Sequence, residues 1–351
     1  MRKTAAKLLA AAAIATSVAT IAAGTAAADP TVTPAAQDIV GVGSDTTQAV
    51  LNQFSTDYNA FLTGKGDTTS PRLYSWDSTG TSPLTTKTGA TSIARPNGSG
   101  AGINALNANT STTVDFARSS RGPKTGDPAS DLFVAYAKDA VSWASTTTGS
   151  HAPTNLTTAD LTGIYNCTIT NWNQITDIPG YTGPNAAIKA FLPQTSSGTR
   201  SFFLSALGLS TPGSCVQATT VQENQGTDTI LNDADALVPY SAAHYIGQVF
   251  KGHSSGSDAA GALSIRSIDG LSPVDGTNNL DVTFSDSAFG RVVYNVVRSA
   301  DWNAGDAHAA ALRAIFGTTG WICKNTTAAN DIRSYGFRTL PVGACGSTTH
   351  A

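Results

Sequence analysis

Phe191-Leu-Pro-Gln-Thr-Ser-Ser-Gly-Thr-Arg-Ser-Phe-Phe-Leu204 reads as strand, loop and helix start in fourteen residues. The apolar run Ile188–Leu192 predicts a short strand, Thr195-Ser-Ser-Gly-Thr199 a tight loop, and the segment after it an amphipathic helix. The first turn of a helix leaves backbone N–H groups unpaired and carries partial positive charge, so such a loop suits an anion. Ser and Thr hydroxyls add donors, and Gly198 permits close backbone approach. The loop can equally cap a helix or present a nucleophile.

Two further loops have the same make-up. Asp38-Ile-Val-Gly-Val-Gly43 is a strand entering a turn, and Thr46–Leu62 has helical spacing through Val50, Leu51, Phe54, Tyr58 and Leu62, with Ser44 or Asp45 as the expected N-cap. Arg95-Pro-Asn-Gly-Ser-Gly-Ala-Gly-Ile103 is a glycine-rich loop opening a helix. Thr113–Ala117 reads as a strand followed by the loop Arg118-Ser-Ser-Arg-Gly-Pro123. Leu132–Tyr136 and Ala140–Ala144 read as separate buried strands, and Leu156–Ile164 as a short capped helix. Ala236–Tyr240 and Arg291–Val297 read as strands, Ala242–Val249 and Ala307–Ile315 as helices. Alternation of this kind predicts an α/β protein. Ordinary capping and turn chemistry accounts for any single loop; three loops plus Arg-Ser-Ser-Arg suggest a shared anion pocket.

Residues 1–28 have the pattern of a secretory signal: basic Arg2, Lys3 and Lys7, an apolar stretch from Leu8 to Gly24, and Ala26-Ala27-Ala28 before Asp29. Its removal leaves 323 residues and takes away three of the 21 basic residues and none of the 24 acidic ones, a balance of about −6. That charge argues against nucleic acid as a partner. Residues 29–35 read as a flexible leader. No Cys stands near the cleavage position, so release without a membrane anchor is expected.

Four cysteines in an exported chain suggest two disulfides, and proximity favours Cys167–Cys215 and Cys323–Cys345 among three possible pairings. No C-x-x-C or H-E-x-x-H is present, so no metal site is expected. Gly41-x-Gly43 lacks the third glycine of a dinucleotide loop, and no cofactor is implied. Glu223 is the only glutamate, which disfavours mechanisms built on Glu pairs. A serine hydrolase is the competing reading, but none of the loop serines Ser44, Ser99 and Ser197 lies in G-x-S-x-G, and no Lys stands three residues after a Ser.

The ordered set of loops resembles the phosphate-binding proteins of bacterial ABC transporters, a branch of the type II periplasmic solute-binding proteins. Gly41-Val-Gly-Ser-Asp-Thr46 is similar to the first ligand loop of that family, Gly98-Ser-Gly-Ala-Gly-Ile103 to the second, Val114-Asp-Phe-Ala-Arg-Ser-Ser120 to the third and Ser197-Gly198-Thr199 to the fourth. Leu161-Thr-Gly-Ile-Tyr with Ile169 and Trp172, Val238-Pro-Tyr with Tyr245, and Tyr335 with Leu340-Pro341 are similar to later signatures. The resemblance implies two α/β lobes joined by crossing strands, a ligand cleft between them, and closure by a hinge. Lobe one would comprise 36–143 and 290–351, lobe two 144–289, with each disulfide inside one lobe. It implies a non-enzymatic, monomeric protein taking phosphate or another small oxyanion, with an ABC permease as partner, or an extracellular binding, adhesion or signalling role on the same fold. The implied ligand set is Ser44, Asp45, Thr46, Ser99, Ser120, Ser197, Gly198 and Thr199, with charge from Arg118 or Arg121.

The chain departs from the family at Ser120, Pro193 and Thr195, which stand where the family has Asp, Arg and Asp. An acceptor carboxylate favours protonated phosphate over sulfate, and an Arg grips an oxyanion with two N–H groups. Asp45 is the expected substitute acceptor, and Arg118, Arg121 or Arg200 the expected substitute cation.

Overall fold

The computed structural model describes residues 29–349; the predicted signal segment lies outside them. The first part of the chain forms β1 (Ile39–Gly43), α1 (Gln48–Gly64), β2 (Leu73–Ser75), α2 (Ser99–Ala108), β3 (Phe116–Ser119) and β4 (Asp131–Thr146). Next come β5 (Asn155–Leu156), α3 (Thr158–Asn166), β6 (Lys189–Ala190), α4 (Gly198–Ala206), β7 (Ala236–Ser241), α5 (Ala242–Phe250), β8 (Leu263–Ile265), β9 (Ser267–Ile268) and α6 (Val282–Ser285). The chain closes with β10 (Gly290–Arg298), α7 (Ser299–Asn303), α8 (Ala307–Phe316), α9 (Trp321–Lys324), α10 (Thr326–Ser334) and β11 (Arg338–Thr339).

One mixed sheet runs in the order β2-β1-β3-β10-β4-β7-β6, with β8 and β11 also paired to β4. β1 is parallel to β2 and β3, and β6 is parallel to β7. β10 is antiparallel to both β3 and β4. Every residue of β1 is buried, as expected of a parallel strand covered on both faces. Gly41 is required within it, because a Cβ there would lie 2.1 Å from the Phe116 ring.

The fold has two lobes, each with its own core. Phe54, Tyr58, Tyr136 and Trp321 meet edge to face in one, with Phe116 and Phe316 beside them. Trp143, Tyr165, Trp172, Phe203 and Phe289 fill the other. A large apolar side chain buried in this way contributes about 1.5–3 kcal/mol. β4 serves both cores: Ala137 packs in the first, Ala140 and Trp143 in the second.

Two predicted strands at 132–136 and 140–144 are thus one strand of sixteen residues. Lys138 and Asp139 interrupt the apolar pattern, but tertiary partners satisfy them. Lys138 pairs with Asp286, and fully buried Asp139 accepts from Arg291, Ser241 Oγ and the Ala243 backbone N–H. The helix predicted from Leu156 forms as α3, capped at Thr157 with a reciprocal bond to Asp160. α1 starts two residues later than predicted, and its N-cap is Thr47 rather than Ser44 or Asp45.

Both expected disulfides form, Cys167–Cys215 with Cα atoms 5.7 Å apart and Cys323–Cys345 with 5.6 Å. Residues 29–35 form neither helix nor strand, and Asp29 makes a 2.6 Å ion pair with Arg95. Among the described residues, no helix is long and apolar enough to cross a membrane.

Candidate functional site

β1 and β3 deliver two of the suspected loops at their C-terminal ends, where ligands bind in open α/β sheets. β1 ends at Gly43 with φ +119°, and the chain turns through Ser44–Thr47 into α1. The second loop turns at Gly98, φ +100°, directly into α2. In the other lobe, the chain leaves β6 and enters α4 at Gly198, capped by Ser197 Oγ accepting from the Arg200 N–H at 3.0 Å.

These four loops touch. Ser99 Oγ accepts from the Ser120 N–H at 3.0 Å and lies 3.3 Å from Ser120 Oγ. A Cβ on Gly198 would stand 2.3 Å from both of those hydroxyls, so only glycine fits against them. Across the same contact the Gly100 N–H donates to the Ser196 carbonyl at 2.9 Å. Thr46 and Thr199 bring their hydroxyls within 3.2 Å. Ser44 is fully buried and its Oγ has no hydrogen-bond partner.

Of the two arginines expected to carry charge, Arg121 is engaged elsewhere, while Arg118 keeps one buried group, Nη2, without a hydrogen-bond partner. Arg118 is fully buried and donates to the Ser44 carbonyl, Ser75 Oγ and the Trp76 carbonyl, which braces the first loop from behind. Burial lowers its pKa to about 10, against the pull of Asp77 and Asp45. Arg121 makes a two-pronged ion pair with Asp127. Arg200 donates to the Pro193 carbonyl.

A further cation at the cradle is Arg291, which the sequence places only in a strand. Its Nε and Nη2 grip Asp139 Oδ2 at 2.9 and 2.7 Å, and Nη2 also donates to Thr199 Oγ1 at 2.9 Å. Arg291 Nη1 is buried and unpartnered.

An anion is already present among these donors. Glu223 is fully buried, and its Oε1 accepts from Thr46 Oγ1 at 2.8 Å and from the Thr199 N–H at 3.2 Å, in the first turn of α4. Its Oε2 is buried with no partner. The flanking residues tie the segment to the first two loops: Gln222 bonds Asp45 and Asn97, and Asn224 bonds Asp45 and Thr46. Asn224 sits at φ +57° and is held by Tyr240, Ser241 and Gln248.

Asp45 has both oxygens on protein donors, Asn224 on one and Ser78 and Gln222 on the other. Burial, then Asp258 and Glu223, raise its pKa to about 7, while His244 and Asn224 oppose the rise. His244 bonds the Thr46 carbonyl through Nδ1 at 3.0 Å and Asp258 through Nε2 at 2.6 Å. Burial alone would lower its pKa, but Asp258, Asp45 and the Thr46 carbonyl raise it to about 10, so the ring is an imidazolium donating on both sides.

Sequence reading missed Gln222, Asn224, Arg291 and Asp139 because they lie outside the glycine-rich loops. Glu223 did stand out, as the only glutamate. Its place in the pocket was not visible, because the segment reaches the loops through tertiary contacts, the pairing of Val221 with Pro193 and the bonds of Gln222 and Asn224.

Residues 24–310 match the model of the PBP superfamily domain, and the chain belongs to that family. No curated protein matches the sequence. The fold is similar to that of an ABC-type phosphate transport receptor from Vibrio cholerae, at 20% identity and a TM-score of 0.55, covering 87% of this chain and 100% of that one. It is also similar to a protein of Clostridium perfringens described as a phosphate ABC transporter substrate-binding protein, with phosphate bound. There the identity is 15% and the TM-score 0.56, with 87% of this chain and 100% of the other covered.

Proposed function

We propose that the chain is an exported, non-enzymatic solute-binding protein that holds phosphate or a related small oxyanion between its lobes. The lobes would be 36–143 with 290–351 and 144–289, joined through β4 and β10, and export would follow removal of residues 1–28. The observation that carries the reading is the convergence of buried hydroxyls from Thr46, Ser99, Ser120 and Thr199 on the N-terminus of α4. Such donors suit an anion, and Thr46 Oγ1 with the Thr199 backbone N–H already holds a carboxylate. Unpartnered Ser44 Oγ and Arg291 Nη1 are two further donors for it. The similarity in fold to phosphate receptors of ABC transporters supports the same class of ligand and a permease as partner.

An extracellular binding or signalling role on the same fold is the second reading. It draws on the resident Glu223 and on the substitution of Ser120, Pro193 and Thr195 at the charged positions of the family. Titration calorimetry with phosphate, arsenate and sulfate tests the first reading. Saturable heat with phosphate or arsenate is expected, lost in Thr199→Val. Absence of heat with every oxyanion, in wild type and in Glu223→Gln, sinks it.

A further inference from the structure

We propose that the Glu223 carboxylate is the resident anion of the cleft: it latches the lobes closed without solute, and an oxyanion enters only by displacing it. The inference rests on reading the cleft as an oxyanion site.

Three observations lead to it. The carboxylate occupies donors from both sides of the cleft, Thr46 Oγ1 in the first loop and the Thr199 N–H at the head of α4. A charge-assisted bond to a helix N-terminus is among the stronger neutralising contacts a buried carboxylate can find. The segment that carries it is built as a strap. Pro193 pairs with Val221 at its root, Gln222 and Asn224 bond the opposite lobe at Asp45, Asn97 and Thr46, and Asn224 is fixed behind by Tyr240 and Gln248. Finally, the buried charges leave no excess cation. Arg118, Arg291 and protonated His244 are three cations against the four carboxyls of Asp45, Asp139, Glu223 and Asp258. An added oxyanion would be an uncompensated buried charge, which is costly unless a resident carboxylate leaves.

Displacement explains the orphaned groups as well. Glu223 is monofunctional here: one oxygen is bonded and the other is buried without a partner, while Ser44 Oγ and Arg291 Nη1 are buried donors it does not satisfy. A tetrahedral oxyanion carries more acceptor oxygens than a carboxylate and is the better tenant for a site with donors to spare.

The test uses the mature protein, wild type and Glu223→Gln, which keeps the shape and removes the charge. Circular dichroism confirms folding, and small-angle scattering reads the solute-free radius of gyration. Calorimetry then reads binding of inorganic phosphate. The expected result is a larger solute-free radius in E223Q than in wild type, and a phosphate Kd at least tenfold tighter. An unchanged radius overturns the proposal, whatever the calorimetry gives. Equal or weaker phosphate binding by E223Q, with wild type binding, also overturns it, and leaves the oxyanion reading of the cleft intact. Opening of E223Q with no oxyanion bound by either protein upholds the latch and removes the oxyanion reading. Asn224→Gly, which suits the positive φ and deletes the bonds to Asp45 and Thr46, repeats both measurements should E223Q fail to fold.

Discussion

Asp45→Asn should change the pH dependence of stability more than it changes stability itself. Asp45 is 3% exposed and its pKa is raised to about 7, first by burial and then by Asp258 and Glu223. A carboxyl whose folded pKa lies above its unfolded value gives its full contribution below the unfolded value of 3.8. That contribution is lost as pH rises through about 7. Linkage at about 1.4 kcal/mol per pH unit makes the wild type lose about 2–3 kcal/mol from this group between pH 5 and pH 8. Asparagine does not ionise and avoids that loss. It also gives up part of the bonding to Asn224, Ser78 and Gln222, at a cost of about 1–2 kcal/mol that does not depend on pH. His244, with a pKa of about 10, keeps its charge throughout, and Asp331, raised by burial to about 7, titrates in both proteins and cancels. The stability of D45N relative to wild type should therefore rise by about 2–3 kcal/mol between pH 5 and pH 8. Urea unfolding at both pH values reads the difference. A stability difference that is the same at pH 5 and pH 8 would refute the assignment of a raised pKa to Asp45.

Gly98→Ala places a Cβ 2.5 Å from the Ser196 carbonyl at a φ of +100°. It should cost about 1–2 kcal/mol in backbone strain, break the Gly100–Ser196 bond, and enlarge the solute-free radius of gyration; an unchanged melting temperature and scattering profile would count against the loop contact. Arg291→Met leaves buried Asp139 without its two-pronged partner and should lower urea stability by about 3–5 kcal/mol, whereas Arg291→Met with Asp139→Asn should recover part of it; equal losses in the single and double variants would contradict the pairing.

Much of the scaffold was legible locally. Strand β1, helices α3, α5 and α8 and strands β7 and β10 all followed from apolar spacing with capping or turn residues at their ends. The two disulfides followed from spacing along the chain. The loops were legible too, because a helix start preceded by Gly, Ser and Thr is a local pattern. What failed locally is equally instructive. β4 looked like two strands because Lys138 and Asp139 break its pattern, and their partners Asp286 and Arg291 lie about 150 residues away in sequence. Arg121 looked like a ligand cation because it adjoins the loop serines, yet it pairs with Asp127.

The sequence by itself therefore determined the elements, the order of the loops and the anion-seeking character of their hydroxyls. Only the tertiary structure decided which charges meet there. Backbone pattern is set by neighbours a few residues apart, whereas the balance of a buried pocket depends on groups from distant segments. Here Glu223, Arg291, His244 and Asp45 come from four separate elements or loops, and their burial together decides which anion the Thr195–Thr199 loop holds.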